Sequence, residues 1–529
     1  MLTPLKKDFI SDQGRIYIPS MSSWFHLDGE HTPNYFSWAF CKSVSLQNSN
    51  EVNSVAQNAS EEQIRKIVEE VVTRIVADGT GASTRSTAGG DSGVFHSMDD
   101  AVQAATQAQA ELVAMTLDRR KFIIEAIRRV SRDSAEDFSR RALAETGMGR
   151  LEDKIQKHRV AADATPGIED LEAKSWTGDH GLTVVEMAPY GVVGAITPST
   201  HPVPTMVNNA ICVVSAGNSA VFNVHPGAKE VSMHAVRLLN QAIVQAGGPA
   251  NLLTAVAEPT LKTANELFTH PGIRILLVTG GPGVAQAAMA SPKKAIVAGP
   301  GNPPVVVDET ADLKKAARDI IDGGGFDNNI LCIGEKQVFV VDSVADQLKR
   351  HMVDYSAYEL SGQQIEALSA VAFVTGSDGH SLASRELVGR SAWVLAEHIG
   401  IKLGESVRML IGETRADHVF VQEEQMMPFL PIVRVRDVDE GIRLALESEH
   451  GYKHTAIIHS RNIDNMHKMA CVMDTTIFVK NGPSFAGVGL GGEGFGTYSI
   501  ASPTGEGLTS PRTFTRQRRC ALVDYFRIT

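Results

Sequence analysis

From about residue 94 onward the hydrophobic positions follow two alternating spacings. Short runs rich in β-branched residues, "SAVFNV" (219–224), "IRILLVTG" (273–280) and "KAIVAG" (294–299), are almost continuously apolar, and stretches of helical periodicity separate them. Continuous apolar strands are what a parallel sheet covered on both faces requires, because neither face of such a strand meets water. Ser97 with Asp100 three residues on opens a helical stretch, and "LDRRKFIIEAIRRVSRDSAEDFSRRALAETG" continues the period to a stop at Gly147. "LTVVEMAPYGVVGAITP" (182–198) reads as paired strands, and from "NPPVVVDE" (302–309) to about residue 480 the α/β alternation repeats. The pattern predicts an α/β protein, with a Rossmann-type domain followed by a second α/β domain.

Upstream the pattern changes. Residues 1–58 mix aromatic and polar residues without a sustained period, suggest no role, and include a second possible start at Met21. "SEEQIRKIVEEVVTRIVADG" (60–79) has a capping box at Ser60 and Gln63 and a stop at Gly79. Ile64, Ile67, Val68, Val71 and Ile75 form one stripe opposite Arg65, Lys66, Glu69, Glu70 and Arg74, which predicts a short amphipathic helix. "TGASTRSTAGGDSG" (80–93) reads as a flexible linker, so the helix either packs back on the main body or lays its apolar stripe on a partner.

Length, charge and cysteines narrow the classes. A chain of 529 residues exceeds what one hydrophobic core serves, and a net charge of −11 offers no basic face for nucleic acid. There is no uninterrupted apolar run of about 18 residues, so no membrane span is expected. Lys6 and Lys7 are not followed by an apolar segment, so no secretory leader is expected either. The five cysteines, Cys41, Cys212, Cys332, Cys471 and Cys520, form no C-x-x-C pair and no zinc-ligand spacing, which predicts no metal and fits a reducing cytosol. Cys332, in "FDNNILCIGEK" (326–336), is on these grounds either a packed core residue or a nucleophile. "GLGGEG" (489–494) matches G-x-G-x-x-G, but Pro503 and β-branched residues stand where a helix should begin, so it reads as a flexible loop. His450 and His454 in "HGYKH" have i, i+4 spacing without a nearby acidic or cysteine ligand.

Six stretches carry a resemblance: "GVVGAITPSTHP", "AGNSAVFNVHP", "VTGGPGVA", "AGPGNPPVVVD", "FDNNILCIGEK" and "GGEGFGTYSIASPTGEGLTSPRTFTRQRRC". In this order, over roughly residues 94–529, they resemble the aldehyde dehydrogenase superfamily in its CoA-acylating branch. Within that branch the chain is most similar to the propionaldehyde and acetaldehyde dehydrogenases of bacterial microcompartments. Those enzymes carry an amphipathic N-terminal encapsulation helix, and residues 60–78 look like one.

The resemblance implies CoA-dependent oxidation of a short-chain aldehyde, with Cys332 as nucleophile. Its thiolate would form a thiohemiacetal that gives a hydride to NAD and leaves an acyl-enzyme thioester for coenzyme A. Hydrolytic members hold the oxyanion with the cysteine N–H and an asparagine side chain; Thr200 stands at that asparagine's position. The residues implied at the cofactor are Ile196, Thr197, Pro198 and Ser199, then Asn223 (where many relatives have lysine) and His225, then Thr279, Gly280, Gly281 and Val284, then Val297, Ala298 and Gly299. Hydrolytic members also place a water-activating glutamate where this chain has Val297, which favours transfer to CoA.

The expected organisation is an unassigned extension (1–58), a helix (59–79), a linker (80–93), a cofactor domain (94–300) with a strand hairpin at 174–190, a catalytic domain (301–485), and a glycine-rich loop with a C-terminal oligomerisation strand (486–529). The hairpin and last strand would make a small β oligomerisation element in a homodimer or homotetramer. The helix at 60–78 would bind shell proteins inside a microcompartment lumen in the bacterial cytoplasm. Two alternatives are a hydrolytic aldehyde dehydrogenase and a non-catalytic shell-binding protein.

Overall fold

The computed structural model describes residues 92–376 and 381–528; the expected extension and helix, and nearly all of the linker, lie outside them. Ser97 caps the helix Met98–Ala114, its hydroxyl accepting from the Asp100 N–H. The long helical stretch that follows is two helices, Leu117–Asp133 and Ala135–Thr146, broken at Ser134. The second ends at Gly147 in the left-handed region (φ 65°).

Strands Val94–Phe95, Leu253–Val256, Ser219–Val224, Val192–Thr197, Ile273–Thr279 and Lys294–Ala298 form a six-stranded sheet in that spatial order. Every pairing is parallel. Successive residues serve opposite faces: Val193 and Ala195 pack with Ile123, Ile127 and Met206, whereas Val192 and Ile196 pack with Val102, Leu267 and Phe268. Both faces are covered, which accounts for the nearly unbroken apolar strands. From Val192–Thr197 the chain winds outward one way through two strands, then returns to add Ile273–Thr279 on the other side. The gap between these two strands is therefore the topological switch point, where open α/β sheets bind ligands at their carboxyl ends.

A second, seven-stranded sheet, also parallel throughout, draws its strands from residues 304–480. Cys332 lies between the helix Leu313–Gly325 and this sheet's central strand Gln337–Val341.

The reading of 182–198 as paired strands is corrected. Gly181–Pro189 pairs antiparallel with Lys174–Gly178 on one side and with Thr515–Val523 on the other, while Val192–Thr197 belongs to the six-stranded sheet. The cause is local. Gly191 has φ 128°, a conformation closed to side chains, and Asn218 Oδ1 accepts from the Tyr190 and Gly191 N–H groups, so the chain changes sheet at that point.

Candidate active site

The site is built around a turn that the sequence writes as Asp-Asn-Asn. Asp327, Asn328 and Asn329 have φ of 48°, 56° and 65°, a left-handed run that these short polar side chains tolerate better than other residues. Each is tied down. Asp327, fully buried, accepts from the Arg150 N–H (2.7 Å), from Lys157 Nζ (2.5 Å) and from Lys154 Nζ (3.3 Å), while its own N–H donates to Asp153 (2.9 Å). Asn328 Nδ2 donates to the Gly389 carbonyl, and Asn329 Nδ2 to that of Glu335. Replacing Asp327 by Ala strands two buried ammonium groups, so we expect a loss of about 3–5 kcal/mol, measurable by urea unfolding.

The turn delivers Leu331, Cys332 and Ile333 to one wall of a cavity of about 40 Å³. Phe326, Phe485, Val488, Leu490 and Ile500 make the rest largely apolar; Lys157, His201, Thr497 and Tyr498 also line it. Gly301 backs the Cys332 peptide, where a Cβ would fall 2.6 Å from the Cys332 carbonyl oxygen, so a larger residue would displace the turn. Cys332 is half-buried. Burial pushes its thiol up to about 12, with the Glu424 carboxylate adding to the rise and Lys336 and Lys157 opposing it. Glu424 is itself pushed up to about 7 by burial against the pull of Lys336, and burial brings Lys157 down to about 8 against the pull of Asp327. Burial thus keeps the thiol protonated and shifts both Lys157, in the cavity wall, and Glu424 toward neutrality.

The implied cofactor residues, scattered over a hundred positions in sequence, come together at the carboxyl edge of the six-stranded sheet. Register alignment sets Ile196 beside Asn223 and Val278, Thr197 beside Val224, and Thr279 beside Ala298. Their chemistry is uneven. Ile196 and Val297 are sealed in an apolar cluster, so Val297 faces its neighbours' side chains, and its N–H donates to the Thr504 hydroxyl. Asn223 Oδ1 accepts from Thr263, and His225 is exposed, its Nδ1 accepting from the Gly227 N–H. Thr279 shares a hydrogen bond with Ser499.

Two features at this edge fit a dinucleotide. The Thr197 hydroxyl is buried without a hydrogen-bond partner, an orphan that calls for a ligand or water. The helix Pro282–Met289 starts at Gly281 with no side-chain cap, and a Cβ at Gly281 or Gly283 would meet no atom within 4 Å, leaving its N–H groups open to a phosphate. Pro198, Ser199 and Thr200 are partly exposed beyond the strand end; Gly280 packs against Val284, and Gly299 against Pro503.

The Thr200 hydroxyl is 3.0 Å from His201 Nδ1, and it is His201 that lines the cavity with Cys332. In sequence His201 stands unmarked inside "GVVGAITPSTHP". Lys157 is unmarked too, because a lysine in "LEDKIQKHRVAAD" looks like part of a solvated face; Asp327, distant in sequence, buries it. The His450–His454 spacing yields no ligand pair. His450 Nε2 meets the Gln422 carbonyl, and His454 bonds Thr455. Among the described residues no cluster of three or more His, Cys, Asp or Glu could hold a metal ion. None of their helices is long and apolar enough to cross a membrane.

Known proteins place this architecture. Residues 91–496 match the model of the aldehyde dehydrogenase family. The chain is 51% identical over 463 residues to the acetaldehyde dehydrogenase (acetylating) EutE of Escherichia coli K12, covering 87% of this chain and 99% of that protein. It is 46% identical to the Rhodopseudomonas palustris propionaldehyde dehydrogenase solved with bound CoA and an acylated cysteine, with a TM-score of 0.80 over 82% of this chain and 98% of that one. It is also 46% identical to a propionaldehyde dehydrogenase from the Clostridium phytofermentans fucose utilisation microcompartment, with a TM-score of 0.81 over 83% of this chain and 100% of that one. With its two parallel sheets, its thiol-bearing turn and these matches across most of its length, the chain belongs to the aldehyde dehydrogenase family.

Proposed function

We infer that this chain oxidises a short-chain aldehyde, of the size of acetaldehyde or propionaldehyde, to its coenzyme A thioester, with NAD as hydride acceptor and Cys332 as nucleophile. The observation that carries the reading is a shared pair of stretches. Residues 197–201 end at the Cys332 cavity and begin at the sheet edge, and 497–500 both line the cavity and bond Thr279 at that edge. A thiol-bound aldehyde and a dinucleotide at the edge would therefore share walls. Size agrees, since a site for one water needs roughly 10–15 Å³ on the same measure, so about 40 Å³ takes around three heavy atoms.

The residues divide the labour. Cys332, once its proton is lost to solvent, bonds to the aldehyde carbon, and the apolar walls orient the alkyl group away from water. Thr197, Gly280, Gly281 and Gly283 would hold NAD, with the peptides of Ala298 and Gly299 alongside, and NAD when bound supplies the two-electron hydride acceptor. CoA would use the same cleft in turn. The decisive assay is NADH formation with and without CoA, where steady turnover is expected only with CoA present.

The sheet formed by 174–178, 181–189 and 515–523 is proposed as the surface through which copies associate. Trp176, Leu522, Val523 and Tyr525 expose 41–71% of their surface there, and large apolar side chains left open together are what an association surface offers. Residues 60–78 are proposed to direct the enzyme to a microcompartment shell. Ser92 belongs to the catalytic body, its carbonyl accepting from Asn240 Nδ2, so a clean truncation ends before it. Removing residues 1–85 should leave kcat/KM within about twofold and abolish co-sedimentation with shell proteins. An insoluble or inactive truncation would place the helix in the catalytic body.

A further inference from the structure

We propose that His201, through its Nε2–H, is the side-chain donor to the aldehyde oxygen as it becomes the thiohemiacetal oxyanion, and that Thr200 serves to orient that imidazole. The inference rests on the assignment of Cys332 as nucleophile.

It follows from an account of the polar atoms lining the cavity. Lys157 Nζ is held by Asp327 at 2.5 Å and the Thr200 carbonyl at 3.3 Å. The Thr497 hydroxyl is shared with Asn208 (3.1 Å) and Thr509 (2.8 Å), and the Tyr498 hydroxyl donates to the Lys157 carbonyl at 2.9 Å. The Thr200 hydroxyl is engaged with His201 Nδ1 at 3.0 Å. His201 Nε2 has no protein partner among the described residues, and it is not one of the sealed, unsatisfied atoms. It is therefore the side-chain nitrogen left to meet a ligand in a space of about 40 Å³, where anything bonded to Cys332 lies close to every wall.

The ring's protonation suits a donor. Burial, with the Lys157 and Lys154 charges adding, holds His201 well below the usual imidazole range, so it is neutral and a poor base. A neutral imidazole carries one N–H. When Thr200 donates its hydroxyl proton to Nδ1, that N–H sits on Nε2, the ring nitrogen without a protein partner among the described residues. A neutral histidine can polarise a carbonyl without becoming charged, and donors aimed at developing charge in a dry site are worth more than in water. In the step itself the sulfur lone pair forms the S–C bond and the carbonyl π pair moves onto oxygen. When that oxygen later expels hydride to NAD, the C=O bond re-forms and the donor is released. The thiol proton has already left to solvent.

The test compares His201→Met with His201→Gln in the full-length protein. The two side chains have nearly the same volume and flexibility, and only Gln keeps an N–H donor. We expect kcat/KM for propionaldehyde to fall about 10²- to 10³-fold in the Met variant, the usual loss for one oxyanion donor, and within about tenfold of the parent in the Gln variant. Alkylation of Cys332 by iodoacetamide creates no oxyanion, so both variants should react within about twofold of the parent. Thr200→Val should cost less than His201→Met. Equal losses in the Met and Gln variants, from misfolding or otherwise, would overturn the assignment. So would parental activity in the Met variant, a parallel loss of alkylation, or a greater loss in Thr200→Val. Failure of the underlying reading looks different, because turnover would then survive Cys332→Ser, whereas failure of the His201 assignment leaves turnover dependent on Cys332 and CoA.

Discussion

Cys332→Ala and Cys332→Ser should each reduce CoA-dependent NADH formation to background while leaving the thermal unfolding transition close to that of the parent protein. The chemistry requires a nucleophile that attacks a carbonyl and then leaves as a thiolate, and neither a methyl group nor an unactivated hydroxyl does both. The packing is nearly indifferent to the change, because Cys332 is half-buried at a cavity wall and loses at most one heavy atom. Substantial turnover in either variant would reject the assignment. The thiol's environment adds a pH signature. With the group pushed up to about 12, the thiolate fraction near pH 7 is only about 10⁻⁵, and each unit of rising pH multiplies it tenfold. Iodoacetamide alkylation of the cofactor-free protein should therefore still be climbing at pH 10. A plateau near pH 8 would mean that the thiolate is already formed. The neighbours set the sign: burial and Glu424 oppose the thiolate, and Lys336 and Lys157 reduce the opposition without cancelling it.

Local rules made the first sheet legible. Ser97, Gly147 and the apolar runs at 219–224, 273–279 and 294–298 each announce themselves within a dozen residues, and the structure places them as caps and strands accordingly. The partner of Gly181–Pro189 could not be read in the same way. It pairs with Thr515–Val523 more than three hundred positions away, and nothing in either strand's own sequence specifies the other. The site shows the same division. The glycines of "VTGGPG" and the thiol of "NNILCIG" are visible because their chemistry is unusual wherever it occurs. Lys157 and His201 become significant only when distant groups close around them: Asp327 neutralises the first, and the commitment of every neighbouring hydroxyl isolates the second. Val297 marks another limit of sequence reading. Motif position sets it beside the chemistry, but strand register turns its side chain into an apolar cluster.

That orientation bears on the acceptor of the acyl group. Without CoA, we expect at most about one NADH per active site, released as a burst, with the acyl group retained on Cys332. Hydrolysis of a thioester needs a positioned base, because water is a feeble nucleophile near neutrality. At Val297 there is no carboxylate, and its side chain is fully buried among Val278, Ile196 and their neighbours. Among the groups that line the Cys332 cavity, Lys157 is paired with Asp327, burial holds His201 well below the usual imidazole range, and the Tyr498 phenol is pushed far above its ordinary range by burial. None is a free base. A CoA thiol, with a reference value of about 8.5, already has a few per cent thiolate near neutrality and needs little assistance. Omission of CoA is a sharper test than Val297→Glu, since a carboxylate placed in that apolar cluster would cost several kcal/mol unless paired and would confound loss of fold with change of acceptor. The measurement is a rapid-mix absorbance trace at 340 nm alongside intact-mass analysis. The expected mass is that of the parent plus one acyl group on Cys332, discharged when CoA is added. Sustained turnover to free carboxylic acid in the absence of CoA would overturn the reading and make the chain a hydrolytic member of its family.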